Sequence, residues 1–132
     1  MEYEFRVTPT KGFLHVVVVG DNTAETVLRY LKQVYETCVK LQCPSVLVEE
    51  NLAGAGLDLG EIFGLVAEGS RNVWPAVRRI AYVDLNRHHD PKNMKFAETV
   101  GVNRSVNVRV FGAVQDAENW LLQQLNPPPE KS

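Results

Sequence analysis

His88-His89-Asp90 is the densest group of ligand-type side chains in this 132-residue sequence. Adjacent histidines point in different directions, so a shared metal needs an unusual loop or a further ligand. His15 and Asp84 could serve only if the fold brings them close. The plainer reading is a solvated connection, and no metal site is assigned. Glu49 and Glu50 are a second candidate, as general acid and base, but neighbours in an extended chain face opposite sides. Cys38 falls on an apolar helical side and reads as a small core residue. Neither it nor Cys43 has a histidine partner in view that would activate a thiol. Gly54-Ala55-Gly56-Leu57-Asp58-Leu59-Gly60 stands where a dinucleotide fingerprint would stand. Its spacing has one residue too many before the last glycine, and it follows the third strand rather than the first. Glu49, Glu50, Asp58 and Glu61 would repel a pyrophosphate. No catalytic set and no cofactor are expected.

The elements that must position these residues follow from hydrophobic period and turn chemistry. Arg6 to Thr8 and Phe13 to Val19 read as strands joined by a Pro9–Gly12 turn. The second run is almost wholly apolar and β-branched, which suits a strand covered on both faces. Gly20 to Thr23 supplies side-chain oxygens for an N-cap. Val27, Leu28, Leu31, Val34, Tyr35, Cys38 and Leu41 then recur at helical steps. Ser45 to Glu49 is a third strand, 50–56 a loop, and 58–70 a helix on which Asp58 and Glu61 have capping-box spacing. Arg79 to Asp84 is a fourth strand, and Pro91 opens a short third helix after a polar connection. Val106 to Phe111 alternates as a fifth strand with one wet face. A fourth helix carries Ala117, Trp120, Leu121 and Leu125. The order β-β-α-β-α-β-α-β-α predicts an α/β fold, with a mixed, mostly parallel sheet of about five strands and four helices. Residues 1–126 are expected to form a single domain, and 127–132 a disordered Pro-rich tail.

Composition bounds the function. With 14 Lys+Arg against 16 Asp+Glu the net charge is -2, leaving no basic surplus for a nucleic-acid binder. The longest apolar run, Phe13 to Val19, is interrupted by His15, whereas a membrane helix needs ~20 residues. The acidic start Met1-Glu2-Tyr3-Glu4 lacks the order of a signal peptide. Two cysteines are too few for a disulfide framework. A soluble cytoplasmic protein is the expectation.

Arg78-Arg79-Ile80-Ala81-Tyr82-Val83, Val106-Asn107-Val108-Arg109-Val110-Phe111 and the finish Gln115-Asp116-Ala117-Glu118-Asn119-Trp120-Leu121 carry a resemblance. With the element order, they make most of residues 3–125 resemble the STAS superfamily, closest to its SpoIIAA-like stand-alone branch. In signalling members, an Asp-Ser-Ser/Thr-Gly stretch after the third strand is phosphorylated, and the added charge switches partner binding. The matching stretch here, Leu57-Asp58-Leu59-Gly60, has no hydroxyl, so Asp58 reads as an N-cap. The resemblance implies a non-enzymatic, cytoplasmic module that binds a protein partner or a second copy of itself. The loop Glu50–Gly56 and the start of the second helix would carry the contacts, through Glu50, Asn51, Gly54, Gly56, Asp58 and Glu61. Ligands in open α/β sheets favour the crevice beyond the strand carboxyl ends, which adds Asp84, His88 and His89 to the rim. Two alternatives are kept. One is a small apolar ligand or lipid in a cleft between the second and third helices and the sheet. The other, less favoured, is a metal-dependent enzyme built on Asp84, His88, His89 and Asp90. An exposed Val73–Trp74 patch or a self-pairing edge strand would point to a dimer.

Overall fold

A computed structural model describes residues 3–54, 57–72, 77–87, 89–103 and 107–125. Among these the elements are β1 (Tyr3–Thr10), β2 (Phe13–Asp21), α1 (Ala24–Leu41), β3 (Ser45–Ala53) and α2 (Leu59–Asn72). They continue with β4 (Arg79–Asp84), α3 (Pro91–Asn103), β5 (Val108–Phe111) and α4 (Val114–Leu125). The strands form one five-stranded sheet in the order β1-β2-β3-β4-β5. β1 is antiparallel to β2, and every later neighbour pair is parallel. This is the mixed α/β architecture that the alternation of elements predicts.

Strand order explains where the helices lie. From β2 onward each strand is added on the same side of the last, and right-handed crossovers then place their helices on one face. Val27, Tyr30, Val34 and Cys38 of α1 and Leu65 of α2 pack there on Leu14, Val16, Val18, Val46, Val48 and Leu52. α3 packs between α2 and β5. The opposite face is left to α4, whose Ala117 and Leu121 meet Phe13, Leu47, Ala81 and Val83. The strand residues on the two faces alternate in sequence, as the pleat requires.

Four expectations are corrected. β3 runs on through Glu50 and Asn51 to Ala53 instead of ending at Glu49, because β2 pairs with it as far as Asp21↔Ala53 and buries Leu52. The α1 stripe is centred on Val27, Tyr30, Val34 and Cys38, and Leu28 and Leu41 are exposed. β2 is not covered on both faces along its length. α4 contacts β3, β4 and β5, so Val17 is only half-buried and Val19 is 39% exposed. Glu50 and Asn51 therefore belong to a strand, and the loop before α2 begins at Gly54, whose φ of 102° suits glycine. Val73, Trp74 and residues 127–132 lie outside the described residues.

Local signals close both ends of α1. Thr23 is the N-cap, and its Oγ1 accepts from the Thr26 amide at 3.1 Å. Gln42 ends the helix in the left-handed region at φ 52°. On the far edge of the sheet, Glu98 of α3 reaches over β5 and accepts the Val110 N–H at 2.7 Å. That contact occupies a donor an edge strand would otherwise present to other chains.

Candidate functional site

The polar side chains converge at the carboxyl ends of β2, β3 and β4. β3 projects Glu50 into the α1 face, where it is 4% exposed. In the parallel register Glu50 lies opposite Asp84, so two carboxyl groups stand side by side on one face. The Tyr30 hydroxyl from α1 and the Tyr82 hydroxyl from β4 both donate to Glu50 Oε2, and the two hydroxyls also touch each other. The three oxygens form one cluster around the buried acid. Burial pushes the Glu50 carboxyl up to about 7, with the neighbouring Asp84 charge adding to it against the pull of the Tyr30 hydrogen bond and of His89. The Tyr30 phenol is raised as well, by burial and then by Glu50.

Asp84 is held from the other side. His89 Nδ1 donates to Asp84 Oδ2 at 2.7 Å, and both side chains are under one tenth exposed, at 6% and 8%. His89 Nε2 lies 3.0 Å from the Gly54 carbonyl, which can only accept. The same nitrogen lies 3.3 Å from Asn22 Nδ2, which can only donate. Burial works against the charged imidazole, but the hydrogen bond to Asp84, the Gly54 carbonyl and the Asp84 charge outweigh it and raise His89 above its ordinary value. Backbone bonds tie the same ends together, from Asn22 N–H to Ala53 O and from Leu85 N–H to Glu50 O, each at 2.8 Å. Asn86 adds further ties, its carbonyl accepting the His89 N–H at 3.1 Å. Its amide donates to Asp84 Oδ1 at 2.9 Å and its side chain donates to Leu52 O at 2.7 Å.

Of the residues singled out in the sequence, Glu50, Gly54, Asp84 and His89 meet here. Asn51 does not. It alternates to the other face of β3 and is exposed. Asp58 and Glu61 sit apart at the start of α2 and cap each other, with Asp58 N–H to Glu61 Oε1 at 3.1 Å and Glu61 N–H to Asp58 Oδ1 at 2.8 Å. Gly56 and His88 lie outside the described residues. His15 is remote from His89 and pairs with Glu49 at 2.9 Å on the opposite face of the sheet. Glu49 and Glu50 accordingly face opposite sides, as neighbours in a strand must. Sequence reasoning missed Tyr30, Tyr82, Asn22 and Asn86. Tyr30 had a signal, since 27-30-34-38 is a helical stripe that includes it. The others had none before the strand register was known.

The arrangement does little for catalysis. Both His89 ring nitrogens are engaged, so the Asp84–His89 pair lacks the free Nε2 of a general base. Among the described residues, no three His, Cys, Asp or Glu side chains converge to hold a metal ion. A half-open groove of about 380 Å³ adjoins the site between the first turns of α3 and the ends of β4 and β5. It is lined by Asp84, Arg87, His89, Met94, Lys95 and Phe111 among others. This groove lies at the strand ends, beside the start of α3. No described helix is long and apolar enough to cross a membrane.

The strand order, the direction of each pairing and the placement of α4 on the second face define a STAS-like fold. Among solved structures, the chain is similar to the crystal structure of an anti-sigma factor antagonist from Mycobacterium paratuberculosis. The two share 13% identity and superpose with a TM-score of 0.58, over 92% of this chain and 95% of the other. At that identity the likeness establishes the fold. No protein-family model matches the sequence, and no curated protein does.

Proposed function

We propose that this chain is a non-enzymatic regulatory module that binds a protein partner through the loop after β3 and the first turns of α2. One observation carries the reading. Leu59 and Phe63, one turn apart on α2, are 51% and 46% exposed beside the Asp58–Glu61 cap. Large apolar side chains that are about half exposed next to fixed charges suit a recognition surface. The likeness to an anti-sigma factor antagonist supports the same role. No Ser or Thr lies in residues 50–62, so the surface is constitutive rather than switched by phosphate there. The free thiols Cys38 and Cys43 suit a reducing compartment, and the cytoplasm is the proposed location.

The test is capture from a native extract by the full chain, beside a Leu59→Asp/Phe63→Asp variant whose circular dichroism is unchanged. Light scattering on both proteins runs alongside. The reading expects a stoichiometric complex, with a partner or a second copy, that the variant loses. A monomer that retains nothing, or equal retention by both proteins, defeats it.

The groove favours a second, narrower reading. Met94 and Phe111 offer an apolar wall, and Arg87 and Lys95 bring cations to it, which suits a small amphiphilic anion. Titration with octanoate, followed by amide shifts in residues 84–95, checks this. No saturable shift, or one unaltered by Arg87→Glu, removes it.

A further inference from the structure

His89 touches three pieces of chain at the strand ends, beside the backbone bonds that already join them. Asp84 is the last residue of β4, Asn22 sits in the turn from β2 to α1, and Gly54 begins the loop that leads to α2. All three lie within hydrogen-bond distance of one imidazole, at 2.7, 3.3 and 3.0 Å. The chemistry of the two partners of Nε2 is opposite. The Gly54 carbonyl needs a proton on that nitrogen, whereas the Asn22 amide needs a lone pair. Nδ1 faces a carboxylate and keeps its proton in either state. The ring therefore has two arrangements, distinguished by a single proton.

We propose that His89 is a protonation latch, which holds the loop leading into α2 through the Gly54 carbonyl when charged and turns to Asn22 when neutral. This rests on the docking reading above, because the loop that is latched is the one assigned to the partner. The raised affinity of His89 for its second proton agrees with the geometry. Charges from several described elements surround the ring. Asp84 from β4 and Glu50 from β3 favour the charged ring. Lys95 from α3 and Arg87 from the same connection line the neighbouring groove and oppose it, although Lys95 is paired with Glu98 at 2.8 Å. Asp90, next to the ring in sequence, is turned to the Lys92 amide at 2.9 Å. The turn supplies the uncharged Asn22, and β5 lines the adjoining groove with Val110 and Phe111. In the neutral ring the Gly54 carbonyl faces a lone pair, so the loop loses this anchor as pH rises and keeps the one from Asn93 Nδ2 to Leu57 O.

Hydrogen exchange of segment 52–62 in the full chain, from about pH 5.5 to about 8.5 and corrected for the intrinsic rate, tests the latch. Protection is expected to fall by about tenfold as the ring loses its proton, the worth of one hydrogen bond to a charged group. The ring itself is followed by nitrogen NMR. Asn22→Ala removes the partner of the neutral state and should move the midpoint up. Asp84→Asn removes the anion and should move it down. Glu50→Gln should retain the transition, which separates it from the neighbouring acid. His89→Gln should abolish it, and if that variant fails to fold the other two decide. Protection that is flat across the ring's titration, or a midpoint unmoved by both Asn22→Ala and Asp84→Asn, overturns the proposal. Partner capture at the same pH values keeps the two readings apart. Protection that follows pH while capture by Leu59 and Phe63 fails leaves the latch and sinks the docking role. Capture with flat protection does the reverse.

Discussion

Glu50 should make the protein less stable as neutral pH is approached from below, against the usual behaviour of an ion-paired carboxylate. Its carboxyl is lifted from 4.5 in the open chain to about 7 in the fold, because the strand buries it opposite Asp84. Between those values the folded state holds a proton that the unfolded state has released. Stability then falls with rising pH across that window and is flat above it. The difference of roughly 2.5 pH units corresponds to about 3 kcal/mol, a large share of the 5–15 kcal/mol typical of a domain. His89 works in the same direction over a higher range. Its raised value stabilises the fold below about 6.5, and that contribution is lost as pH rises through the folded-state value. Urea unfolding at closely spaced pH values, with the slope m checked for constancy, measures the effect as a drop in midpoint. Glu50→Gln keeps the shape, cannot ionise, and should remove the part of the drop below about pH 6.5 while leaving the part due to His89. A wild-type midpoint that is flat or rises between about pH 5 and 7, or a variant with an unchanged slope, would refute the buried-acid account.

Three further outcomes follow from packing and edges. Leu121→Ala opens a cavity in the α4 face, where Leu121 is fully buried, and should cost 2–5 kcal/mol by denaturant unfolding. Glu98→Ala strips the Val110 N–H of its acceptor and should speed amide exchange along β5 and raise aggregation, with a stability loss of about 1–2 kcal/mol. Cys38 should resist a thiol reagent in the native protein, because burial, with help from Cys43, raises it to about 12. Reaction at Cys38 as fast as in urea would contradict that packing.

The sequence by itself determined the kind and order of the elements, because these depend on period and caps within a few residues. The stripe after Thr23, the Asp58–Glu61 box and the apolar run of β2 are such signals, and all three appear in the structure. Their limits came from the same locality. From sequence alone β3 ends at Glu49, because two acids and an asparagine resemble a loop, whereas β2 pairs with them as far as Ala53. Val19 belongs to an apolar run that reads as core, yet it is 39% exposed because α4 lies over β3, β4 and β5. The candidate site was half legible. Glu50 and Gly54 could be named from the resemblance, and Asp84 and His89 because strand ends in parallel sheets gather residues. The pairing of Glu50 with Asp84, the two tyrosines that close over the acid and the Asn22 contact to His89 were decided by tertiary structure alone. Those contacts join residues 20 to 67 positions apart. Which of them meet depends on register and on the face each helix turns to the sheet, and neither is written in any local stretch of the chain.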